Sequence, residues 1–112
     1  APTVTTPARE PENVVERLRE LKALTDDPAN ASYLDDYMKR CRSLAGREQP
    51  TAEVSHLARS IVEQILALQS ARWALAKDDR RECIRICDQF LKENPASPSF
   101  QMLKSQAQNQ NR

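Results

Sequence analysis

Glycine is almost missing from this chain, with one residue in 112. A β-sandwich or barrel needs many turns, and turns with positive φ favour glycine, so an all-β architecture is not expected. A phosphate-cradling loop needs several closely spaced glycines, and one cannot supply them. Aromatic residues make up only 4% of the chain and His56 is the sole histidine. No apolar run approaches the ~20 residues needed to cross a membrane as a helix. An excess of one charge is lacking too. Seventeen basic and sixteen acidic residues leave a net charge of +1. The short basic runs Lys39-Arg40-Cys41-Arg42 and Arg80-Arg81 are offset by Asp26-Asp27, Asp35-Asp36 and Asp78-Asp79. A nucleic-acid partner calls for a clustered basic face, so none is expected.

What the chain does have is proline, seven of them, at 2, 7, 11, 28, 50, 95 and 98. They punctuate an all-α reading. Residues 1–10 are rich in Pro and Thr and read as an arm, residues 11–103 as the helical domain, and residues 104–112, rich in Gln, Asn and Ser, as a fraying tail. Pro11 can open a first helix, because the first turn needs no donor from it. Val14, Leu18, Leu21 and Leu24 then recur at helical spacing until Asp26-Asp27-Pro28 stops it. A second helix starts near Asn30 or Ser32 with the stripe Leu34, Tyr37, Met38, Cys41, Leu44 and Ala45. Asp35 with Lys39 and Asp36 with Arg40 are i,i+4 pairs in the favourable order. Gly46 is expected as the left-handed residue closing it.

Thr51 is a suitable N-cap for a third helix, which runs without a breaker to Lys77. On a wheel, Val54, Leu57, Ala58, Ile61, Ile65 and Leu68 form its main face, Val62, Leu66 and Trp73 a second, and Ala67, Ala71 and Ala74 a third. Apolar residues nearly all round from Ile65 to Ala76 mark a buried central helix. Asp79 and Glu82 resemble a capping box opening a fourth helix, which ends at Asn94-Pro95. The short turn between them makes an antiparallel αα-hairpin. The fourth helix carries a wide stripe of Cys83, Ile84, Ile86, Cys87, Phe90 and Leu91, more than one neighbour would cover. Ser97-Pro98 reads as N-cap and N1 of a short fifth helix bearing Phe100, Leu103 and Ala107. The expected fold is therefore four main helices plus a short C-terminal one, as a compact bundle or a stack of αα-hairpins.

Residues 66–95 resemble one degenerate tetratricopeptide repeat. Leu66, Ser70 and Trp73 fill the large, small and aromatic places of the family's first helix. Cys83, Cys87 and Phe90 stand in its second, and Pro95 closes it. Cys83 and Pro95 agree with the pattern, whereas Cys87 is smaller and Phe90 larger than the family uses, and the turn needs one extra residue. No second copy is evident at a period of ~34 residues, although solenoids need at least three. The resemblance implies a helical protein-binding module with no chemistry attached.

Few constellations suggest catalysis. Cys83 and Cys87, at i,i+4, could offer two soft metal ligands, with Cys41 or His56 completing a site; the plain alternative is three small buried hydrophobes. A Cys41 disulfide to Cys83 or Cys87 would need an oxidising compartment. Nucleophilic catalysis by Cys and His needs the pair adjacent in space, but His56 falls on the polar side of the third helix and reads as a solvated side chain. Adjacent acids on a helix point about 100° apart, so the Asp pairs do not converge. Arg72 falls in line with the main apolar face; it either snorkels out at the bundle edge or, with Trp73, marks a partner surface.

These readings lead to a non-enzymatic protein–protein interaction module, such as a small adaptor, a chaperone-like subunit or an accessory subunit of a larger assembly. It would need no cofactor and no metal. Arg72, Trp73, Ile86, Phe90 and Phe100 are the candidate partner contacts, in a homo- or hetero-oligomer. The alternative is a thiol-based metal or redox protein using Cys41, Cys83 and Cys87. Three cysteines favour an intracellular setting, with a processed periplasmic or organellar protein as the other reading.

Overall fold

The computed structural model describes residues 5–46 and 51–109, with side chains from Val14 onward. Among the described residues five α-helices follow one another: α1 (Thr5–Thr25), α2 (Leu34–Ala45), α3 (Ala52–Ala76), α4 (Arg80–Glu93) and α5 (Pro98–Asn109). A 3-10 helix, Pro28–Tyr33, lies between α1 and α2. No strand occurs among the described residues, as the glycine shortage implies.

α3 is the spine. It packs against α1 and α2 on one side and α4 and α5 on the other, while α1 pairs with α2 and α4 with α5. Its main apolar face is the buried one: Val54, Ala58, Ile61, Ile65 and Leu68 are core, joined by Ala71 and Ala74. Val14, Leu18 and Leu21 of α1 and Leu34, Tyr37 and Cys41 of α2 complete the core of one half. Cys83 and Cys87 of α4 with Phe100, Leu103 and Ala107 of α5 complete the other.

Most helix ends obey local chemistry. Thr51 Oγ1 accepts the Val54 N–H at 3.1 Å and Asp79 Oδ1 accepts the Glu82 N–H at 3.3 Å, so both N-caps form. The reciprocal half of the Asp79–Glu82 capping box does not, because the Glu82 carboxylate pairs with Arg85 and the Asp79 N–H bonds the Ala74 carbonyl. Asp27 Oδ1 accepts the Ala29 N–H at 2.9 Å and starts the 3-10 helix, which delays α2 to Leu34 rather than Asn30 or Ser32. Asp36 pairs with Arg40 at 3.0 Å. Asp35 instead accepts from Gln69 Nε2 of α3 at 2.8 Å.

Several expectations are corrected. α1 begins at Thr5, inside the segment read as an arm and six residues before Pro11. Pro7 falls in the first turn, where no N–H is needed, and Pro11 forfeits one helical bond without ending the helix. α5 is no short tail-bound piece: it reaches Asn109, with Ala107 fully buried and Lys104 paired to Asp88 at 2.6 Å. Residues 1–4 and 110–112 of the arm and tail, and the loop 47–50, lie outside the described residues. Gly46 caps α2 at φ −81°, not in the left-handed region. Its lack of a Cβ matters through closeness instead, since a Cβ there would stand 2.9 Å from the Arg42 carbonyl oxygen. Among the described residues the left-handed one is Asp78, at φ 64° in the α3–α4 turn.

Candidate interaction surface

α3 has neighbours on two sides and apolar residues on more than two. The remainder faces water. Trp73 is 66% exposed and Leu66 51% exposed, so the helix is central without being wholly buried. Glu63, Ser70 and Lys77 are exposed on the same strip, and Val62 is half-buried beside it. Lys77 Nζ lies 5.7 Å from the centre of the Trp73 ring, a cation–π distance that holds both long side chains along the helix. An indole left this exposed keeps on the order of 100 Å² of apolar surface in water, about 2–3 kcal/mol of unused burial. Tyr33, Met102 and Leu24 are the other large exposed apolar residues among those described.

Arg72 and Trp73 are sequence neighbours, but 100° of helical rotation separates them. The Arg72 guanidinium donates through Nη1 to the Ala31 carbonyl at 2.9 Å, reaching across to the 3-10 helix. It also lines a small pocket of about 160 Å³ with Leu34, Leu68, Met102 and Leu103. Arg72 therefore emerges at the bundle edge and ties two elements together, while Trp73 looks outward.

Phe100 is corrected from partner contact to core. It is fully buried and stacks on Phe90, with ring centres 4.6 Å apart and planes 15° from parallel. Ile86 and Phe90 are half-buried against the core. α5 supplies the cover that the wide α4 stripe lacked, because α5 is as long as α2. Among the described residues, Leu66 and Trp73 of α3 are the large exposed apolar residues that share one helix. Their i,i+7 spacing was legible, but which neighbours would leave them open was not.

A second polar cluster went unanticipated. A pocket of about 270 Å³ is lined by Lys22, Asp26, Gln64, Asn94 and Ser97 above Phe90 and Phe100. Several of its groups are already hydrogen-bonded. Ser97 Oγ donates to the Asp26 carboxylate, Ser99 Oγ donates to the Asp26 carbonyl at 2.6 Å, and Lys22 Nζ donates to Ser60 Oγ at 3.0 Å. Burial raises the Asp26 carboxyl above its ordinary value; bonds from the Ser97 hydroxyl and the Ser99 backbone, the Lys22 charge and Gln64 oppose this. The Ser97 hydroxyl therefore ties the start of α5 to the residue that follows α1.

The thiols all lie in the core. Cys41, Cys83 and Cys87 are free and fully buried. The Cys41 thiol donates to the Ala58 carbonyl at 3.4 Å. Desolvation raises all three, Cys87 to about 12 with added repulsion from Cys83. Metal binding and nucleophilic attack both require the thiolate. No group of three His, Cys, Asp or Glu among the described residues could hold a metal ion. His56 is exposed in α3. No helix is long and apolar enough to cross a membrane among the described residues.

Comparison with known proteins finds no matching family model, curated protein or solved structure.

Proposed function

We propose that this chain is a non-enzymatic helical interaction module, serving as a small adaptor, a chaperone-like subunit or an accessory subunit of a larger assembly. The observation that carries the reading is Trp73, two-thirds exposed on the central helix and one heptad from an exposed Leu66. Trp is a frequent interface anchor, and its neighbours Ser70 and Lys77 would form the polar rim around it. The tetratricopeptide-like reading of residues 66–95 belongs to this proposal. Cys83 and Cys87 of its second helix turn inward, whereas Leu66 and Trp73 of its first turn outward. That arrangement suits a hairpin whose next layer is supplied by another chain. The thiol-based alternative gains no support from buried, protonated cysteines.

The test is site-specific photocrosslinking in an extract of the native source. A photoreactive phenylalanine replaces Trp73, and another replaces His56, exposed on a polar part of the same helix. The expected result is discrete adducts at position 73 that unmodified protein competes away, and none at position 56. Labelling that is equal at both positions, or absent at 73, would sink the reading.

A further inference from the structure

The proposal that the α3 strip binds protein can be taken one step further, to the identity of the occupant; this step rests on that reading. The exposed residues Glu63, Leu66, Ser70, Trp73 and Lys77 follow one another at intervals of three, four, three and four. That spacing keeps them in line along a helix. The pattern is also nearly symmetric about Ser70. Glu63 lies seven residues before it and Lys77 seven after it, with opposite charges, and Leu66 and Trp73 lie four before and three after. Among the described residues no ion pair engages Glu63.

We propose that the strip is a self-complementary docking surface for a second copy of this chain, with the two α3 helices antiparallel about a two-fold axis at Ser70. A two-fold axis requires the same patch on both copies, so each contact must occur twice with its partners exchanged. This strip meets the condition. Glu63 faces Lys77 of the second copy and Lys77 faces Glu63 of the second copy. Leu66 packs on Trp73 of the second copy, and the reverse. Ser70 meets Ser70 at the axis, where a small side chain lets the backbones approach. A parallel pair would instead set like charges against each other at both ends. From 63 to 77 the contact runs about 21 Å at 1.5 Å per residue. That is short for an obligate interface, so the dimer forms reversibly, and protein at roughly 10–500 μM spans the micromolar-to-millimolar affinities of a weak pair.

Sedimentation equilibrium on the full chain across that range tests the inference. The wild type is expected to fit a monomer–dimer equilibrium. Glu63→Lys and Lys77→Glu each place like charges across the axis and should weaken dimerisation by roughly tenfold. The double variant E63K/K77E restores opposite charges and should dimerise within about threefold of wild type. Mixing E63K with K77E should yield a heterodimer that neither forms alone. Trp73→Ala should abolish association, with thermal melting confirming that each variant folds.

A wild type that stays monomeric at the top concentration overturns the inference. So does a dimer indifferent to the charge exchange, or an assembly larger than two. If position 73 crosslinks a different protein while the pure chain stays monomeric, self-pairing fails and the interaction reading stands. If neither occurs, both fall.

Discussion

Asp26 is a single residue doing a helix's work from seventy positions away. It follows α1, yet its carboxylate accepts from Ser97 and from the Ser99 backbone at the start of α5. An anion there also suits the positive end of the α5 dipole. Ser97 and Ser99 are both buried, so losing their acceptor leaves buried donors unpaired. Asp26→Ala should therefore cost about 1–3 kcal/mol in denaturant unfolding. Asp26→Asn keeps an acceptor and removes a desolvated charge, so it should stay within about 1 kcal/mol of wild type at pH 7. The pH response separates the two effects. The folded carboxyl titrates above its unfolded value of 3.8, so the folded state binds the extra proton in the window between the two values. In that window the Asp26 contribution to stability rises as pH falls, and it declines as pH climbs through the folded value. Melting curves of D26N should lack that component; an unchanged pH profile would refute it.

Helix boundaries were legible at Thr51 and Asp79, which each bond an N–H three residues on, so a sequence window holds both partners. The Asp27 cap is equally local, but the 3-10 helix it starts was not foreseen and moved the α2 start to Leu34. The α3–α4 turn shows where that logic ran short. The Asp79 N–H bonds the Ala74 carbonyl at 2.8 Å and the Asp78 N–H bonds the Leu75 carbonyl at 3.0 Å. This is a Schellman motif, with Asp78 at the left-handed position that glycine usually fills. The lone glycine drew that expectation to Gly46, whereas the short α3–α4 turn forced it on Asp78. Asp78→Gly should therefore raise stability by up to about 1 kcal/mol, because a left-handed Asp carries steric strain that Gly does not. The exposed pairing of Asp78 with Arg80, at 3.8 Å, is too long to offset this. A midpoint of chemical denaturation that falls instead would show that the side chain matters more than the backbone.

At the scale of the whole molecule, α3 joins two helical pairs into one core. Cys41 reports on the α1–α2 half, and Cys83 and Cys87 report on the α4–α5 half. Each is fully buried, and burial keeps each thiol protonated. If α3 makes the halves cooperative, all three should stay unreactive to a thiol reagent in the folded protein. They should then become reactive over one shared guanidinium transition. Mass spectrometry of the labelled chain resolves each site. Separate midpoints for Cys41 and for the α4 pair would show two independently unfolding halves. The candidate surface is legible only at this scale as well. The wheel put Val62, Leu66 and Trp73 together, but apolar faces on three sides of α3 said nothing about which two would be covered.

By itself the sequence determined that the chain is helical, where its long central helix lies and which stripe of α3 enters the core. Those features follow from helical periodicity, capping side chains and scarce glycine, all of which act within a few residues. Tertiary structure decided the rest. It covered the α4 stripe with a full-length α5, buried Phe100, turned Arg72 to the 3-10 helix and left Trp73 in water. It also set Asp26 at the head of α5. Each outcome depends on which helices become neighbours, a choice made by competing burial across the whole core rather than by any local run of residues. The near absence of glycine excluded sheets and phosphate loops from the start. Only the packing showed that the single left-handed position in the described chain would be held by an aspartate.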